Sequence, residues 1–438
     1  MSAAHSRTAL AAYGVLRMPL ALLELPLYVL LPSFYNRSLG LELATIGAVL
    51  FGARLLDALA DPLIGATIDR WRARFDDRRW IWAALPVLAI GFAAMFSPPV
   101  SGSGELAVWL ALTSMLTYLA YSVVSIAYQS WGAGIGTTTV ERARVTATRE
   151  AFGLFGVVGA SALLSPQGAP LLVALFAGLA ALAAIAATRA PPPRPAAPDA
   201  AEAGAPDAVG ARRAGLRAAW HDVAGNRSFR WLLAAFMLNG IATAMPATLV
   251  LFFVRDVLGG GDRAIAVFLI SYFLAAALGM PLWLHVARRF GLRNAWLLGI
   301  AFAVLAFAWA LGLGRDDMVP FLAVCVLTGL ALGSDLSMPA ALLSAVISDA
   351  GHDGRREGSY FGVWNLATKL NLALAAGVAL PSLALLGYAP GESAGGTLAL
   401  SLAYAALPCA LKLAAGAVLL VAPLPDASPN VAPAPGAA

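Results

Sequence analysis

The chain is poor in charge. Asp, Glu, Lys and Arg supply only 12% of its 438 residues, where a soluble domain carries about 25%, so an ordinary water-surrounded globule is excluded. It holds two cysteines, Cys325 and Cys409. Both fall in apolar stretches, and no disulfide framework is implied. Lysine occurs only as Lys369 and Lys412, so the net charge of +5 is carried almost wholly by arginine. The four histidines, His5, His221, His285 and His352, are terminal or close to loops. None pairs with Cys or Asp at metal-ligand or nucleophile–base spacing, and an enzyme, a catalytic metal and an organic cofactor are not expected. A soluble output domain of the kind a sensor carries is also missing. The basic residues sit between apolar runs, the pattern of membrane topology, so nucleic acid is not an expected partner. The first residues, MSAAHSRTAL, are short and polar, and no cleavable leader is expected.

What fills the chain is hydrophobic sequence: 60% of all residues, with a mean hydropathy of +0.78. Twelve runs approach or exceed the roughly 20 residues that cross a bilayer. They lie near 10–34, 42–68, 81–101, 106–133, 149–166, 169–188, 229–254, 263–287, 295–313, 319–347, 359–387 and 397–422. The expectation is an all-α polytopic membrane protein of two six-helix halves, 1–188 and 229–422. A Pro- and Ala-rich linker over 189–228 and a similar tail over 423–438 read as disordered. A short surface helix near Leu216–Val223 closes the linker.

Arginine sets the orientation. Arg70, Arg72, Arg74, Arg78 and Arg79 follow the second run, and Arg142 and Arg144 follow the fourth. The linker and the loops with Arg288, Arg289, Arg293, Arg355 and Arg356 continue the alternation. By the positive-inside rule both termini and the linker face the cytoplasm, in a cell (inner) membrane. A monomer is expected.

The densest chemistry lies in RLLDALADPLIGATIDRWRARFDDRR, from Arg54 to Arg79. Residues three and four apart share a helix face, so Arg54, Asp57 and Asp61 project to one side of an otherwise apolar helix. A charge at the bilayer centre costs on the order of 3 kcal/mol or more. Two carboxylates kept there make sense if something binds them, and a cation is the expected occupant. DPLIGATIDRWRARFDDRRW after the second run is echoed by MPLWLHVARRFGLRNAW after the eighth, with Met280 and Pro281 standing where Asp61 and Pro62 would be. Six plus six runs with such a parallel repeat are the pattern of the major facilitator superfamily fold.

The same stretch resembles the glycoside–pentoside–hexuronide:cation symporter family, to which melibiose permease belongs. The likeness extends to LNGIATAMPATLVLFFVRDVLG (238–259), to ERARVTATRE (141–150), and to SDLSMPAALLSAVISDAGHDGRREGSYFGVWNLATK (334–369). The resemblance implies that Asp57 and Asp61 bind a coupling cation, Na⁺ or H⁺. Ser122 then stands where the family places a helix-four hydroxyl ligand. It also implies that Lys369, mid-helix in NLATKLNLALAAG, is a countercharge to these acids, with Arg54 a further charge partner. Arg149 falls at a family arginine with a substrate or gating role.

For the substrate the likeness thins. The family's helix-one acid is matched about a turn away by Glu24, while its helix-four acid is replaced by Ser125, in YSVVSIAYQSW. Tyr128, Gln129, Trp364 and Asn365 complete the expected lining, with Tyr121 and Trp131 as further candidates. The expected function is cation-coupled symport of a sugar or glycoside-like solute by alternating access. The alternative is a more apolar amphiphile, such as a lysolipid or drug-like molecule. Asp69 and Arg70 are expected to latch the cytoplasmic side against Arg142 or Glu141.

Overall fold

In the computed structural model, residues 6–136, 138–161, 163, 168–192, 220–385 and 396–425 are described. Most of the linker and of the tail therefore lies outside the described residues, and a helical turn over 220–225 is what is seen of the linker's closing helix. The described chain is helical, and helices occupy all twelve of the expected positions. In order they are α1 (Arg7–Gly14), α2 (Arg17–Leu25), α3 (Leu31–Arg37), α4 (Leu43–Trp71), α5 (Asp77–Met95), α6 (Ser103–Ile135) and α7 (Thr139–Ser161). These are followed by α8 (Ala169–Ala187), α9 (Arg227–Phe252), α10 (Asp262–Ala308), α11 (Met318–Asp349), α12 (Glu357–Leu385), α13 (Gly396–Ser401) and α14 (Leu407–Val421).

Local chemistry sets where these helices begin and bend. Ser6, Asp76 and Asn226 cap α1, α5 and α9, each side-chain oxygen accepting an N–H three residues on. The first expected run is not one helix. It breaks between Gly14 and Arg17, and after Leu25 it enters a π-helical segment, Pro26–Leu30, before resuming as α3. Proline supplies no N–H and crowds the preceding turn, and π segments absorb such interruptions. Conversely, the eighth and ninth runs join in α10, with the bend at Gly291 (φ 81°). That left-handed conformation is open to glycine at little steric cost.

Seven of the described helical stretches are by length and composition able to cross a bilayer unaided. Their outer faces carry large apolar side chains such as Phe51, Leu278 and Leu305, each about two-thirds exposed. A surface of that kind suits lipid rather than water. The chain divides into two compact units: Met1–Thr137 with Thr148–Gly225 and Ala350–Leu366, and Thr138–Ala147 with Asn226–Asp349 and Ala367–Ala438. The opening turns of α12 thus belong to the first unit.

Within that unit α12 approaches α4 through glycine. A Cβ on Gly65 would stand 2.0 Å from the carbonyl oxygen of Gly358, and one on Gly362 would stand 2.5 Å from that of Asp61. Gly358 and Gly362 form a small-xxx-small stripe of the kind that brings membrane helices into backbone contact.

Candidate functional site

The two acids of α4 are buried as the spacing requires: Asp57 is 4% exposed and Asp61 is 0% exposed. α4 packs on α6, and α6 delivers Ser122, whose hydroxyl donates to Asp57 Oδ1 at 2.7 Å. Arg54, one turn before Asp57, lies with its guanidinium carbon 4.8 Å from the Tyr118 ring centre. The structure therefore joins Ser122 to Asp57 across helices that the sequence separates by 65 residues. Two carboxylates and a hydroxyl are hard oxygen donors, suited to Na⁺, and the carboxylates equally accept a proton. The residues present fit either ion.

A second group surrounds Glu24. Its Oε1 accepts from Arg17 Nη1 at 2.7 Å and from the Tyr121 hydroxyl at 2.6 Å. Arg17 also reaches Glu150 Oε2 at 3.5 Å, and Arg149 grips Glu150 Oε1 through Nε and Nη2, both at 2.7 Å. Glu24 and Arg149, expected as substrate residues, are thereby joined in one network of two acids and two guanidiniums. Glu24 is its most open member, its side chain 38% exposed. Arg17 was not legible as a functional residue, although it precedes Glu24 by seven residues. Two helical turns place both on one face.

Ser125, Gln129 and Asn365 form a third group. Gln129 Nε2 donates to Ser125 Oγ (3.0 Å) and Asn365 Oδ1 (2.8 Å), and Asn365 Nδ2 donates to Ser125 Oγ (3.3 Å). Trp364 is buried beside Asn365 in sequence. Tyr128 is placed differently, in the interior and 1% exposed. It exchanges hydroxyl-to-carbonyl bonds with Tyr13, 3.0 Å and 2.9 Å, and their rings lie 4.5 Å apart. That pairing clamps α1 to α6, and so does the edge of Trp131 against Tyr13.

At the end of α4 that leads into the arginine-rich loop, Asp69 is held by partners within the first unit. Asp69 accepts from the backbone N–H groups of Gly358 (2.7 Å) and Ser359 (2.6 Å) and from the Ser359 hydroxyl (2.6 Å). These are free donors at the N-terminus of α12, where a negative charge is favoured. Arg72 ties the cluster together, reaching Asp69 (3.2 Å), Asp77 (3.3 Å), Glu357 (3.6 Å) and the Ser130 hydroxyl (2.5 Å). Arg142 and Glu141, the partners read from the loops, belong to the second unit. Burial opposes the charge on Arg72, but Asp77, Glu357 and Asp69 outweigh it and hold the guanidinium well above its ordinary pKa.

The second unit holds Lys369, half-buried on α12, and a charge pair that the sequence reading missed. Lys412 Nζ donates to Asp335 Oδ2 (2.8 Å), Asn239 Oδ1 (2.8 Å) and Thr243 Oγ1 (3.1 Å), and Trp296 Nε1 donates to Asp335 Oδ1 (3.0 Å). The signal was present. Lys412 is one of two lysines in the chain, and Asp335 stands inside an apolar run.

Comparison with known proteins follows the same lines. The isoprimeverose transporter of Lactiplantibacillus pentosus is 24% identical over 329 residues, which are 72% of this chain and 66% of that protein. The inner membrane symporter YicJ of Escherichia coli strain K12 is 30% identical over 135 residues, 30% of this chain and 29% of that protein. The aligned stretches thus span less than two-thirds of these relatives' own length. Among solved structures, the major facilitator superfamily transporter FucP in its outward conformation superposes with a TM-score of 0.68. It is 15% identical and covers 93% of this chain and 98% of its own. A bacterial homologue of the iron transporter ferroportin gives a TM-score of 0.67 at 14% identity, over 94% and 98%. These structures share the fold, which is that of the major facilitator superfamily. Residues 12–426 match the family described as MFS/sugar transport protein, in agreement with the resemblance to glycoside–pentoside–hexuronide:cation symporters, and the chain belongs to that family.

Proposed function

We propose that this protein is a secondary transporter that moves a sugar or glycoside-like solute together with a cation, by alternating access. The observation that carries the reading is the buried pair Asp57 and Asp61 on α4 with the Ser122 hydroxyl on Asp57. Two carboxylates in a membrane helix are costly unless their charge is used. A cation that binds them offsets that penalty, and the state it favours is populated in proportion to its differential affinity. Arg54 and Lys369 are the charges proposed to balance these acids when the cation is away.

The solute is proposed to meet Glu24, Arg149 and the Ser125–Gln129–Asn365 group, with Trp364 as an apolar neighbour. Hydroxyl-rich solutes suit such a mixture of carboxylate, guanidinium and amide groups. Arg17, Glu24, Arg149 and Glu150 balance in charge, which supports a neutral glycoside over an acidic one. The name of the isoprimeverose relative supports the same class. Tyr128 supports the site from behind, through its clamp on Tyr13. The proposed setting is a cell (inner) membrane, with both termini on the cytoplasmic side and the carrier acting as a monomer.

The test is uptake of a panel of labelled disaccharides and glycosides by proteoliposomes, under an imposed Na⁺ gradient or pH gradient. One gradient should drive accumulation, and Asp57→Asn and Asp61→Asn should each abolish it while the protein still inserts. Undiminished accumulation by both variants would remove the acids from coupling.

A further inference from the structure

The second unit lines a half-open cavity of about 140 Å³ that the transport reading does not use. Its walls are mostly apolar, with Phe268, Phe307, Phe321 and Tyr404 contributing rings, and Ala303 and Val324 lining it as well. Asp335, Lys412 and Thr243 also line it and form a charged end, and Thr328, Tyr272 and Cys325 are further polar lining residues. Every lining residue belongs to the second unit.

We propose that this cavity is a binding site for a neutral, ring-sized molecule carrying one hydroxyl group, such as a phenol or a cyclic alcohol. The size argument is direct, since an apolar cavity of about 150 Å³ accommodates benzene. The charged end sets the rest. An ammonium has three N–H groups, and those of Lys412 are directed at Asn239, Thr243 and Asp335. It has none left for a ligand. Asp335 differs: an ionised carboxylate offers about four acceptor positions, and the bonds from Lys412 and Trp296 take one on each oxygen. The open capacity beside the ion pair is therefore that of an acceptor, and the ligand group that suits this end is a donor. Asp335 and Lys412 already cancel each other, so a charged ligand would enter a low-dielectric site with nothing to balance it. A hydroxyl donates without bringing a charge. Aromatic walls favour a flat ring through edge and face contacts.

None of its lining residues is among the cation and solute groups of the first unit, and its test needs no transport. The full chain in lipid nanodiscs is titrated with 4-fluorophenol and, separately, with 4-fluorotoluene, each followed by ¹⁹F NMR, with empty nanodiscs subtracted. The phenol should bind saturably at one site per chain. The toluene lacks the donor and should bind roughly ten- to a hundredfold more weakly, the usual span for a hydrogen bond to a charged group. Ala303→Phe, which fills the cavity, should abolish saturable binding, whereas Leu305→Phe on the exposed face of the same helix should leave it intact. Equal affinities of the two probes, a phenol signal no larger than that of empty nanodiscs, or wild-type binding by Ala303→Phe would each overturn the assignment. The contrast between the two probes is read on the unaltered protein, so the proposal stays testable even where Ala303→Phe fails to fold.

Discussion

Removing the Ser122 hydroxyl should separate the two candidate cations, because the hydroxyl is a ligand oxygen for Na⁺ and does not carry the proton. The hydroxyl donates to Asp57 Oδ1 at 2.7 Å, a hydrogen bond to a charged group worth about 1.5–3 kcal/mol. If the coupling ion is Na⁺, Ser122→Ala removes one hard oxygen from the ion's surroundings. The Na⁺ concentration giving half-maximal uptake should then rise by roughly ten- to a hundredfold. If the ion is H⁺, the hydroxyl is not one of its ligands, and a Na⁺ series should leave uptake unchanged in both the unaltered carrier and the variant. The assay is initial uptake into proteoliposomes across a Na⁺ series at constant pH and a pH series without Na⁺. Serine acts here through Asp57, so Ser122→Ala added to Asp57→Asn should change residual solute binding little. That non-additivity is the signature of a shared interaction. An unchanged Na⁺ half-saturation in a carrier that Na⁺ drives, or additive effects in the double variant, would refute the reasoning.

Three other outcomes follow from the geometry. Lys412→Met should lower thermal stability by about 3–5 kcal/mol, because it strands the Asp335 carboxylate among apolar walls. Adding Asp335→Asn should recover much of the loss in the same melting assay. Gly65→Ala should cost about 1–3 kcal/mol, since its methyl would meet the Gly358 carbonyl at 2.0 Å and force α4 and the start of α12 apart. Gly47→Ala, with open space around it, should cost little. His352, in the loop before α12, is held by burial below its ordinary pKa of 6.5, and its Nδ1 lies 2.9 Å from the Tyr360 hydroxyl. The folded state therefore favours the neutral ring, and this contribution is complete above pH 6.5 and lost as pH falls below it. His352→Gln should flatten the melting temperature against pH on that acid side.

The helices were legible because hydropathy alone marks an apolar run, and so was the acid pair, because two carboxylates four residues apart can only share a face. Ser122 was reached through resemblance, not through any local sign. What stayed hidden depends on tertiary pairing or on backbone. Asp335 and Lys412 are 77 residues apart, and nothing near either names the other. Asp69 meets backbone N–H groups at the start of α12, donors that every sequence possesses. Hydropathy is equally blind to the π-helical segment after Leu25, since the composition of the run hardly changes there. The bend at Gly291 has a sequence sign only in hindsight, a glycine following the basic pair Arg288 and Arg289.

The cage around the Lys412 ammonium has the make-up of an ion site: three oxygens at 2.8, 2.8 and 3.1 Å, one of them a carboxylate's. Its occupant, however, is fastened to α14 by a covalent stem. A dissolved ion leaves such a cage when the medium is dilute, and its occupancy follows the bulk concentration. A tethered one has no bulk concentration to follow. The positive charge beside Asp335 is thus the same in fresh water and in brine, and this part of the molecule carries a counter-ion that dialysis cannot remove.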